Sequence, residues 1–272
     1  MIVSAVQMNS AADVGHNLEV AGRWLRAAAA AGSRLAALPE NFAYMGAKEA
    51  DKLAFAETAG QGRIQQFLAD TARELKLWIV AGTVPLAVEG DPRRVWAASL
   101  VYDDSGKCVA RYDKIHLFDV EVPGGEHYRE SASIARGPVK PMVVATPAGR
   151  LGLSVCYDLR FPELYRALLD AGAELLCIPA AFTHKTGEAH WDALLRARAI
   201  ENQCYVIAPG QYGIHASQRR TWGHTRIIDP WGAVLGGRGD DDEGLVSASI
   251  DLARLHELRR GFPVLEHRRL NA

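Results

Sequence analysis

Short apolar runs alternate along this chain with longer stretches in which apolar positions recur every three or four residues, and the two periods predict strands and helices in turn. Ile2–Met8 reads as a strand, Asn17–Ala31 as a helix with Gly32 as its C-cap, and Arg34–Leu38 as a second strand. Gln61–Lys76 places Ile64, Phe67, Leu68, Ala72 and Leu75 on one helical face, and Leu77–Ala81 follows as a buried strand. Val95–Tyr102 and Cys108–Tyr112 flank Asp103-Asp-Ser-Gly106, which has the composition of a hairpin turn, and Val143–Thr146 and Arg150–Val155 flank Pro147-Ala-Gly149 in the same way. Pro162–Ala171 is then a helix with proline in its first turn, followed by strand Glu174–Ile178, a long helix Glu188–Asn202 and strand Cys204–Ala208. A last hairpin pairs His224–Ile228 with Ala233–Leu235 around Asp229-Pro-Trp-Gly232. Helices alternating with hairpins point to an α/β architecture of two sheets with helices outside them. Tyr212–Arg220, rich in Gly, His, Ser and Arg, has no period and reads as a loop that could act as a lid or touch a substrate carboxylate.

Composition narrows the classes. With 272 residues, 49% of them hydrophobic, and no Ser/Pro-rich linker or block of charge, the chain can bury a large core and reads as one domain over residues 1–272. Its 31 basic and 32 acidic residues are interspersed and leave a formal net charge of −1, which gives no electrostatic footprint for nucleic acid or an anionic membrane. Arg219-Arg220 and Arg268-Arg269 read as solvated or ion-pairing surface. No apolar stretch reaches the roughly 18 residues needed to span a bilayer, and the strand-like start lacks the regions of a secretory signal. Four cysteines without regular spacing argue against a disulfide scaffold and for a reducing compartment, so a cytoplasmic location is expected.

One cysteine stands apart. Cys156 ends the apolar run Leu151-Gly-Leu-Ser-Val-Cys156 and precedes the turn-and-helix segment Tyr157-Asp-Leu-Arg-Phe-Pro-Glu-Leu164, so a helix N-terminus is expected to favour its thiolate. The competing role is that of a small buried hydrophobe, the commoner fate of cysteine. Two further strand ends carry charge: Glu40 closes Arg34-Leu-Ala-Ala-Leu-Pro-Glu40, and Lys114 lies among the apolar and aromatic residues of Arg111–Phe118. A base, a cation and a thiol at strand ends can converge, because catalytic groups of α/β folds gather at the carboxyl ends of strands. Cys108, Cys177 and Cys204 have no such partners and are expected to matter for stability alone. Gly152-Leu-Ser-Val-Cys156 departs from the serine-hydrolase elbow by ending in Cys, and no His-Glu-x-x-His or Cys-x-x-Cys spacing offers a metal site.

Leu38-Pro-Glu-Asn41, Tyr112-Asp-Lys-Ile-His116 and Cys156-Tyr-Asp-Leu-Arg-Phe-Pro-Glu163 together resemble the nitrilase, or carbon–nitrogen hydrolase, superfamily. The resemblance continues through Pro179-Ala-Ala-Phe-Thr183, Arg196–Glu201 and Gly223-His224 to Asp229-Pro-Trp-Gly232. Within the superfamily, Asp119–Pro123, Arg196–Tyr205 and the ending Pro263–Arg269 are most similar to the branch acting on deaminated glutathione, with ω-amidases next to it. The resemblance implies a four-layer α-β-β-α sandwich and a cofactor-free, metal-free amidase that takes a small carboxylate-bearing amide through a cysteine thioester. It implies that Cys156 is the nucleophile, Glu40 the proton shuttle, Lys114 with the Tyr157 N–H the oxyanion stabiliser, and Glu130 a further carboxylate orienting Lys114. Arg160 is expected either to fork onto a substrate carboxylate or to pair structurally with Asp158 or Glu163, and Phe182 and Thr183 to line the pocket. A homodimer is implied, joined through Phe161–Ala171 and Glu188–Asn202 with the tail, about 262–272, crossing to the partner. A member that had exchanged catalysis for a role as a binding partner would not need all three of Glu40, Lys114 and Cys156.

Overall fold

The structure, a computed structural model, describes residues 1–122 and 126–270. Pro123, at the end of the Asp119–Pro123 segment, and residues 271–272 of the tail lie outside the described residues.

Two sheets form the centre. The seven-stranded sheet runs Gly244–Ser249, Ile2–Gln7, Leu35–Ala37, Trp78–Val88, Asp91–Tyr102, Cys108–Asp113, with Ile134–Ala135 beside Asp91–Tyr102. The six-stranded sheet runs Val234–Gly237, Arg226–Ile228, Tyr205–Ala208, Leu175–Cys177, Gly149–Leu153, Val143–Thr146. Each has a parallel centre, so the carboxyl ends of several strands open toward one region. Helices α1 (Val14–Ala30) and α2 (Arg63–Leu75) cover the outer face of the first sheet, and α3 (Pro162–Asp170) and α4 (His184–Asn202) that of the second. Alternation along the strands builds these layers: Val3, Ala5, Leu35, Ala37 and Val80 join the core shared with Leu151, Leu153 and Leu175, while Val6, Ala36, Ile79 and Ala81 meet Leu18, Leu25, Ile64 and Leu68 of α1 and α2. This is the expected α-β-β-α sandwich.

Several boundaries move for local reasons. Helix α1 starts three residues earlier than periodicity predicts because the Asp13 carboxylate accepts from His16 N at 3.0 Å and fixes the first turn. Helix α4 likewise starts at His184 rather than Glu188, with Thr183 as its N-cap. The strand expected over Leu77–Ala81 extends to Val88 and forms a hairpin with Asp91–Tyr102. Gly82 and Pro85 hide that extension from the pattern; the ladder shifts register between Ala81 and Val84, around Gly82, and Pro85 pairs with Ala97. Among the elements not read from the sequence are the edge strand Gly244–Ser249, helix α5 (Leu252–Gly261) and the short strands Asp119–Val122, Glu126–Arg129 and Ile134–Ala135. The segment Tyr212–Arg220, expected as a loop, is instead part of a hairpin, Tyr212–Ile214 paired with Arg220–Trp222.

Candidate active site

Glu40, Lys114 and Cys156 meet in one cleft, each just past the end of a strand. The loops that carry the first two are seated by glycines. A Cβ on Gly82 would lie 2.0 Å from the carbonyl of Pro39, and one on Gly137 would lie 2.0 Å from that of Asp113. Only glycine allows those close approaches. Gly137 N also donates to Lys114 O at 2.9 Å, and Gln211 Nε2 donates to Glu40 O at 3.0 Å.

The side chains form a buried charge cluster. Lys114 Nζ donates to Glu40 Oε1 and to Glu130 Oε1, both at 2.8 Å. Glu40 Oε2 accepts from Ala181 N at 2.9 Å, and Glu130 Oε2 from Phe118 N at 2.7 Å, so each carboxylate is fixed at both oxygens. Burial alone would neutralise these groups. For Glu40 it raises the pKa, but Lys114 outweighs it and holds the carboxyl below its ordinary value. For Glu130 burial prevails and the pKa is raised. For Lys114 burial works against the charge, and Glu130 and Glu40 together overcome it and lift the pKa well above the ordinary lysine value.

Cys156 corrects the expectation of a resting thiolate. Burial first, and then the negative charge of Glu40, push its pKa well above the ordinary thiol value, with Lys114 only partly offsetting them. The supposed helix N-terminus is a 3-10 turn, Cys156–Arg160, and α3 begins only at Pro162. The pair therefore rests as neutral thiol beside ionised carboxylate, a donor facing its acceptor. Cys156 has φ +48° and its N–H donates to Pro179 O at 2.9 Å, which turns the side chain out of the strand direction and into the cleft. Asp158 stabilises the turn, accepting from Val155 N at 2.8 Å, Tyr112 Oη at 2.7 Å and His116 N at 3.1 Å.

Arg160, Tyr157, Phe182 and Thr183 line the same cavity. Arg160 pairs with neither Asp158 nor Glu163 among the described contacts. Its guanidinium lies over the Phe182 ring at 5.1 Å and reaches His190 Nδ1 at 3.2 Å, which leaves the cation facing the cavity. Arg219, read from sequence as surface, is drawn into the site by the 212–222 hairpin. Its side chain is 14% exposed, pairs with Glu49 at 3.7 Å, stacks over Tyr128 at 5.0 Å and donates to Ala181 O. Arg220 beside it does behave as expected, exposed and bonded to Asp240 at 2.9 Å. Asn41, Glu49 and Thr186 also line the cavity and went unread, because nothing in their local sequence separates them from ordinary loop residues.

A buried thiol, a carboxylate held ready as base and an ammonium aimed at the same point define a hydrolase of carbon–nitrogen bonds working through cysteine. The family described as carbon-nitrogen hydrolase matches residues 2–260, and the chain belongs to it as an amidase with the family's Glu–Lys–Cys triad. Among individual relatives it is 45% identical over 268 residues to the deaminated glutathione amidase of Synechocystis sp., covering 98% of this chain and 97% of that one. The crystal structure of the Caenorhabditis elegans NitFhit protein superposes with a TM-score of 0.91 at 38% identity, covering 98% of this chain and 65% of that longer one. An amidase from Nesterenkonia sp. AN1, in a mutant form whose active site cysteine has added acrylamide, matches at 25% identity and a TM-score of 0.79 over 98% of this chain and 99% of that one.

Proposed function

We propose that the enzyme hydrolyses deaminated glutathione to 2-oxoglutarate and cysteinylglycine. The observation carrying this reading is the convergence of Glu40, Lys114 and Cys156 beneath the unpaired face of Arg160, in a chain 45% identical to a deaminated glutathione amidase. In the first half-reaction Glu40 takes the Cys156 proton as sulfur bonds to the amide carbon. Lys114 and the Tyr157 N–H stabilise the oxyanion, and Glu130 holds Lys114 in line. The C–N bond then breaks as Glu40 returns the proton to the leaving nitrogen, leaving a thioester. In the second, Glu40 takes a proton from water as the resulting hydroxide attacks the thioester, the C–S bond breaks to release the acid, and Glu40 returns the proton to the departing thiolate. Arg160 takes the substrate carboxylate in a two-pronged contact, with Phe182 and Thr183 along the acyl chain.

The whole chain, 1–272, acts in this reading as one catalytic domain, without cofactor or metal, in the cytoplasm and as a homodimer. Large apolar side chains left exposed near one another support the dimer. Ile200 on α4 is 47% exposed beside Gly232, and Trp231 and Phe262, 62% and 50% exposed, have ring centres 5.6 Å apart. A monomer in sedimentation at micromolar concentration would refute it. No described helix is long and apolar enough to cross a membrane.

An ω-amidase acting on 2-oxoglutaramate is the nearest alternative, since both substrates share one five-carbon keto-acyl portion. Side-by-side kcat/KM values for the two, with Cys156→Ala as blank, decide between them. A hundredfold preference for the peptide corresponds to about 2.7 kcal/mol of differential transition-state binding and upholds the reading. The reverse preference overturns it.

A further inference from the structure

The space over Cys156 is a slot of about 30 Å³, and on the other side of Arg219 and Glu49 lies an outer basin of about 590 Å³. Asn41, Glu49, Tyr128 and Arg219 line both, so the two adjoin across those side chains. Four separate segments wall the basin: Tyr44–Glu49, His127 with Tyr128, the start of α4, and Ser217–Arg220. Lys48, Lys52, Lys185, Arg219 and Arg220 face it, against one lining carboxylate, Glu49, among the described residues. Glu49 is shared by Lys52 at 2.9 Å and Arg219 at 3.7 Å, and Arg220 is bonded to Asp240 at 2.9 Å, so cations outnumber carboxylates along the lining. At the boundary the Arg219 Nε is buried without a hydrogen-bond partner.

We propose that the basin is the leaving-group subsite and takes a peptide that ends in a free carboxylate. This deepens the substrate reading above and rests on it. A slot of this size cannot take the acyl chain and a leaving dipeptide together, so the dipeptide has to extend beyond it, and the basin is the adjoining space. An anionic terminus is drawn there by the cations and by the positive end of α4. Ammonia, the leaving group of 2-oxoglutaramate, needs no such room. The basin thus discriminates between two substrates that the acyl pocket treats alike.

The test compares deaminated glutathione with its C-terminal carboxamide, in the parent and in Lys48→Glu/Lys185→Glu, two exposed positions outside the catalytic cluster. The parent is expected to prefer the free acid by about tenfold in kcat/KM at low salt, and the charge reversal to reduce the ratio below about threefold. Should the reversed protein fail to fold, Lys48→Gln/Lys185→Gln is expected to lower the ratio partway. A parent that treats acid and amide alike, or a ratio unmoved by either double variant, overturns the subsite while leaving peptide hydrolysis standing. A parent that prefers 2-oxoglutaramate over the peptide overturns the substrate reading and the subsite with it.

Discussion

Lys114 and Arg219 are cations facing the same cleft, yet they are held in opposite ways. The Lys114 side chain is 2% exposed, sits directly after a strand, and is fixed by two carboxylates at 2.8 Å. Arg219 hangs from a two-stranded hairpin, leans on a tyrosine ring, donates to the Ala181 carbonyl and has one carboxylate partner at 3.7 Å. The floor of the cleft is a set of charges whose positions are over-determined, as stabilising a developing oxyanion demands. The wall carries its charge on a short hairpin, with one carboxylate partner in place of two.

That contrast can be broken in stages. Cys156→Ala should lose about 10⁴-fold or more in kcat and remain folded, since the nucleophile has no substitute; turnover near the parent level would move the chemistry elsewhere. Lys114→Met should lower kcat by about 10²–10³-fold and, by stranding Glu40 and Glu130 without their counter-ion, cost about 3–5 kcal/mol in urea unfolding. If its stability matched the parent, the floor would not be held as described. Arg219→Gln should cost about tenfold in kcat/KM, mostly through KM, and less stability than Lys114→Met, since it leaves one carboxylate rather than two without its cation. A stability loss as large as that of Lys114→Met would erase the distinction between floor and wall.

The smallest effect tests how the wall hairpin is fixed. His215 within it bonds Thr221 Oγ1 at 2.7 Å and Ser10 O at 3.2 Å, and burial pushes its pKa down to about 4. A depressed histidine pKa means the unfolded chain binds the proton more readily. Its stabilising effect is complete above the ordinary value of 6.5 and declines as pH falls from there toward about 4. The urea midpoint of the parent should therefore drop more between pH 7.5 and pH 5 than that of His215→Gln; equal drops would exclude His215 as the source.

The same contrast decides what was legible in the sequence. Glu40, Lys114 and Cys156 lie at the ends of apolar runs, and a strand end fixes direction and depth at once, so their meeting could be anticipated from the pattern and the motifs. The sandwich followed from alternation in strands such as Ile2–Gln7. Arg219 was lost because its place depends on a hairpin whose strands are three residues each, too short to show a period. The protonation of Cys156 was misjudged because the sequence displays the approaching helix but not the burial or the carboxylate beside the sulfur.

The left-handed backbone at Cys156 sets the protein's durability against its work. A side chain bearing a Cβ is held there at a cost of about 1–2 kcal/mol that glycine would not incur. Any selection that scores only resistance to heat or denaturant should therefore drift toward glycine at 156 and return an inert, sturdier molecule. Engineering for robustness has to keep this one position out of its reach.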